Sequence, residues 1–141
     1  MEESYLSVMV GDHTWALRRP YNPTSSLDEI RAINQRAENE RSLKFATGHD
    51  AIKHIQSLEE YVKNLEVFGA WAGGCVLGTI VDSLKKGIKV RVPKGFTLTP
   101  DSGEKYDVRE NVVSYNQELE GPELAIEEDK EFLYFTPKDN S

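Results

Sequence analysis

Two clusters in this 141-residue chain set cationic side chains beside aromatic rings. Trp15, Arg18, Arg19 and Tyr21 form the first. Lys89, Arg91, Lys94 and Phe96 form the second, in a stretch with no acid between Asp82 and Asp101. Guanidinium and ammonium groups hold phosphate or carboxylate oxygens, and a neighbouring ring can stack a base. The chemistry these residues suggest is the binding of an anionic small molecule such as a nucleotide, or of a protein partner. The plainer explanation is that Lys85 and Lys86 favour a helix C-terminus while Lys89 and Arg91 form the solvated face of a strand.

Other reactive side chains are sparse. The histidines are His13, His49 and His54. Asp50 and His54 stand four residues apart, the spacing at which two metal ligands share a helix face. With His49 they define an alternative, a small metal-dependent phosphohydrolase. Such enzymes need further ligands from distant helices and the sequence supplies no obvious set, so no metal and no cofactor is expected. Asp50 is the expected cap of the following helix. Cys75 is the lone cysteine. It needs a base beside it to act as a nucleophile, and among apolar neighbours it reads as an inert buried thiol. The run VFGAWAGGCVLGTIV, residues 67 to 81, carries Gly69, Gly73, Gly74 and Gly78 but no charge. It matches neither a phosphate-binding loop nor a dinucleotide fingerprint. Glycine inside an apolar segment weakens it unless another backbone approaches closely, so tight packing is expected there.

Composition limits the classes that fit. The chain is long enough for one ordinary core, and one cysteine excludes an internal disulfide framework. MEESYLSV has acids where a secretory leader has a basic start, and the uncharged run is shorter than the roughly 20 residues of a membrane span, so a cytoplasmic location is expected. Net charge is −7, unevenly placed. Residues 1 to 100 hold 13 Lys/Arg against 12 Asp/Glu, whereas 101 to 141 hold 4 against 12. That acidic end argues against double-stranded nucleic acid as a partner.

The elements expected to carry these residues form one α+β domain over 1–141. Alternating residues from Tyr5 to Val10, a turn at Gly11-Asp12-His13 and a return over 14–19 suggest a hairpin arm within 1–22. The helical part is expected over 25–87. Ser26 with Glu29 matches a capping box, and a first helix runs from there to about Ala46. The second is long and glycine-rich, from about 51 to 86. Ile52, Ile55, Leu58, Val62, Leu65, Gly69, Ala72 and Val76 continue at spacings of three and four. Leu65, Gly69, Ala72, Gly73 and Val76 are its expected assembly surface, by small-residue helix contact. Lys85, Lys86 and Gly87 end it. An antiparallel β part follows over 88–136: a strand from Ile88 to Val92 with a return over Phe96 to Thr99, a bulged strand near Tyr106 to Tyr115, and a last hairpin from Glu123 to Thr136. Residues 137–141 are an expected frayed tail. The function suggested is a non-enzymatic, homo-oligomeric binding or regulatory protein of the inhibitor or sequestering type; a structural subunit without a small ligand is a further alternative.

Overall fold

The computed structural model describes residues 4–11, 27–45, 47–58, 61–70, 75–98 and 107–138. In chain order these form β1 (Leu6–Val10), α1 (Leu27–Asn39), β2 (Leu43–Phe45), α2 (Gly48–Leu58), β3 (Asn64–Ala70), α3 (Cys75–Lys85), β4 (Lys89–Pro93), β5 (Thr97–Leu98), α4 (Val108–Glu118), β6 (Leu124–Glu128) and β7 (Phe132–Pro137). The class is α+β, and all seven strands belong to one mixed sheet.

Its order is β2-β1-β3-β4-β7-β6, with β5 alongside the end of β3. The β2-β1-β3-β4 half is parallel; β7 runs antiparallel to both β4 and β6. Alternate residues of each strand face opposite sides. One side presents Val8, Val10, Leu65, Val67, Val90, Val92 and Phe135 to Ala51 and Ile55 of α2, Ile80 and Leu84 of α3, and Val112 of α4, all buried. The other side meets α1, where Ile33 and Ala37 are buried.

The largest correction concerns the long second helix. Residues 51–86 form α2, β3 and α3 instead. Strand β3 lies between β1 and β4 and is buried on both faces, which erases the alternation that marks a half-buried strand. Its apolar residues, interrupted by Glu66, match a helical period by coincidence. The close backbone approach expected at the glycines occurs at Gly69, between strands rather than helices. There φ is +122°, and a Cβ would run into the carbonyl oxygen of Val10. Leu65 and Val76 are fully buried within the chain's own core, so with Gly69 they form no helical seam. Ala72 and Gly73 lie outside the described residues. Helix α3 does end as expected: Gly87 has φ 82°, and the Ile88 N–H donates to the Ser83 carbonyl.

Other differences follow from the same parallel topology. Strand β1 is paired on both sides, in parallel with β2 and β3, so it is no hairpin arm; the expected return over 14–19 lies outside the described residues. Helix α1 stops at Asn39 because Arg41 takes φ 52° and Ser42 N–H closes back on the Ala37 carbonyl, freeing 43–45 for β2. The expected return strand after β4 is β5, which pairs in parallel with Gly69-Ala70. The bulged strand is α4: Asp107 caps it by accepting from the Glu110 N–H, and Val108, Val112 and Tyr115 follow a helical period. The last hairpin is present as β6 and β7.

Candidate functional site

Two regions of this fold gather chemistry. The first is a cleft of about 600 Å³ on the α1 side of the sheet. Register builds its floor, because Ser7, Glu66, Arg91, Tyr134 and Glu127 are successive cross-strand neighbours on β1, β3, β4, β7 and β6. Glu66, 1% exposed, accepts from Nη2 and Nε of Arg36 at 3.0 and 3.2 Å. It also accepts from Arg91 Nε at 3.0 Å and from the Ser7 hydroxyl at 3.1 Å. A buried carboxylate without such partners costs several kcal/mol, so Glu66 holds α1 to the sheet through Arg36.

Aromatic rings immobilise the cations. The Arg91 guanidinium carbon lies 3.9 Å from the Tyr5 ring centroid and 4.0 Å from that of Phe132. Arg36 lies 4.9 Å from the Phe96 ring centroid, and Lys89 Nζ 5.4 Å from that of Tyr134. Glu40, Glu127 and Glu131 complete the lining. Below the cleft the β6–β7 turn is closed by Asp129, whose Oδ1 accepts from the Glu131 and Phe132 N–H groups and whose Oδ2 accepts from the Tyr134 hydroxyl. The Phe132 and Glu131 N–H groups lower the Asp129 pKa, while burial and the bond to Asp129 raise that of Tyr134.

Of the second expected ligand cluster, then, Lys89 and Arg91 line one cleft. Lys94 does not: it pairs with exposed Glu128 at 2.7 Å, which lowers the Glu128 pKa. Phe96 packs under Arg36 and against Phe68. Trp15, Arg18, Arg19 and Tyr21 lie outside the described residues. Tyr5, Arg36, Glu66, Phe132 and Tyr134 were missed. Glu66 had a legible signal, since an acid inside the apolar stretch from Leu65 to Ala72 must find a cation.

The second region is the carboxyl edge of the parallel strands. Here β1 ends at Val10-Gly11, with the Gly11 N–H donating to the Phe45 carbonyl, and β3 ends at Gly69-Ala70. Cys75 is the first residue of α3 and only half-buried. Helix α2 starts against it: a Cβ on Gly48 would lie 2.9 Å from the Cys75 carbonyl oxygen. The amino ends of α2 and α3 therefore meet at Cys75. Thr47, not Asp50, caps α2, its hydroxyl accepting from the Asp50 N–H. His49 and Asp50 are exposed, and the His54 ring packs on Phe45 with centroids 5.3 Å apart. Among the described residues no group of three or more His, Cys, Asp or Glu side chains is placed to hold a metal, and no helix is long and apolar enough to cross a membrane. Comparison of the chain with protein-family models, with curated proteins and with solved structures found no match.

Proposed function

We propose that this chain is a small thiol-dependent enzyme that cleaves or transfers an acyl group, with Cys75 as its nucleophile. The observation that carries this reading is the position of Cys75 at the start of α3, directly beyond the central strand β3. In open sheets with parallel strands, ligands bind beyond the carboxyl ends of the strands where the strand order reverses. The chain steps from β1 outward to β2, then across to β3, so the reversal lies between β1 and β3. First-turn amides of a helix favour anionic oxygens, and here two helix starts converge. They suit the oxyanion that forms when a thiolate adds to a carbonyl carbon.

In the reaction proposed, the Cys75 sulfur bonds to the acyl carbon, the leaving group departs with a proton, and water hydrolyses the thioester. The base that takes the thiol proton is to be sought among Asp12 and His13, which follow Gly11 in the chain, and His49 and Asp50, which follow Gly48. A free nucleophilic thiol also favours a reducing, cytoplasmic setting.

Hydrolysis of p-nitrophenyl acetate and a panel of small amides tests the reading. The parent should turn over at least one substrate, and Cys75→Ala should lose roughly 10³-fold or more of that rate. Equal rates for parent and Cys75→Ala would contradict it. A second reading, a non-enzymatic binding protein for an anionic ligand, draws on Lys89 and Arg91 in the cleft. It is favoured if no substrate turns over while a nucleotide raises the melting temperature.

A further inference from the structure

We propose that the cleft on the α1 side of the sheet is a separate binding site for a small zwitterion carrying a carboxylate and an ammonium group. The cleft lies on the α1 face of the sheet, whereas α3, which Cys75 begins, packs on the opposite face. Its volume, about 600 Å³, is that of an ordinary small-molecule site.

The charges in the cleft select the ligand. Arg36 and Arg91 share the single carboxylate of Glu66, so this buried unit keeps one net positive charge. Two rings pack on the Arg91 guanidinium and Nε is given to Glu66, which leaves the terminal N–H edge as the approach for a ligand carboxylate. Lys89 also lines the cleft. Glu40 after α1, Glu127 on β6 and Glu131 beside the β6–β7 turn also line the cleft, with carboxylates that are not the partners of Arg36 or Arg91. A polyanion meets these acids, and a simple amine meets the net positive charge of the Arg36–Glu66–Arg91 unit. A molecule with both charges satisfies both sets of groups, and the strongest contacts of the charge-assisted kind form at each end.

Calorimetry with 4-aminobutanoate and 6-aminohexanoate tests this, with acetate, inorganic phosphate and butylamine as single-charge probes. At least one amino acid should bind about tenfold or more tighter than every single-charge probe, the difference expected for one added charge-assisted contact. Glu127→Gln/Glu131→Gln removes two of these acids at exposed positions. It should weaken the amino acid about tenfold while leaving acetate binding unchanged or improved. Absence of amino-acid binding, equal binding of acetate or phosphate, equal binding of butylamine, or an unaffected double variant would each overturn the proposal.

Discussion

At Glu66 one side chain decides whether a whole face of the sheet holds together. It is the buried acid shared by two guanidiniums that are themselves only 16% and 22% exposed. Glu66→Ala leaves both cations without a counter-charge and should destabilise the fold by about 3–5 kcal/mol, read from the urea midpoint. Adding Arg36→Leu and Arg91→Leu should recover part of that loss; a Glu66→Ala midpoint equal to the parent's would show that the triad contributes nothing. Asp129 offers a second test at this scale. Its pKa is held below the ordinary 3.8 by two N–H groups, so its contribution is present above that value and fades as pH falls through the lowered one. The amide signals of Glu131 and Phe132 should therefore titrate together below pH 3.8, and Asp129→Asn should abolish that titration. A midpoint at or above the ordinary value would count against the turn geometry.

At the scale of elements, the glycines separate strand from helix. Gly69 sits at positive φ against β1, whereas a Cβ on Gly78 in α3 would meet nothing within 4 Å. Gly69→Ala should thus cost well over 1 kcal/mol or prevent folding, from strain and from parting β1 and β3. Gly78→Ala should stabilise by up to about 1 kcal/mol as helix propensity improves. Thermal melts of the two variants check this, and the opposite ranking would restore a tightly packed helical seam through 69–78. Elements with local signals were legible: the alternation of β4, the β6–β7 hairpin, and the Gly87 stop of α3. Those fixed by long-range pairing were not. Strand β3 reads as helix until β1 and β4 flank it, and β1 reads as a hairpin arm until both its edges are filled. The helix α4 had a signal that the alternation argument overrode, namely Asp107 three residues before Glu110.

Across the whole molecule, topology rather than composition locates the chemistry. Basic residues that look like one ligand cluster in sequence are divided by register: Arg91 and Lys89 face a cleft, Lys94 faces Glu128, and Phe96 lies beneath Arg36. Much of the acidic C-terminal charge lies on α4 and the β6–β7 hairpin, where Glu127 and Glu131 border that same cleft. Cys75 underwent the largest change of meaning. Among apolar neighbours in sequence it reads as an inert core thiol; in the fold it begins a helix at the carboxyl edge of the parallel strands and is half-buried. No spacing rule could reveal this, because the separation of β3 from α3 is invisible until β3 is known to be a strand. The most direct measurement is the intact mass of the protein after brief exposure to p-nitrophenyl acetate, followed by peptide mapping. A nucleophilic Cys75 should carry one acetyl group that is lost on standing, and Cys75→Ala should stay unmodified. An unmodified parent, or equal labelling of parent and variant at other residues, would contradict a nucleophilic thiol at this edge of the sheet.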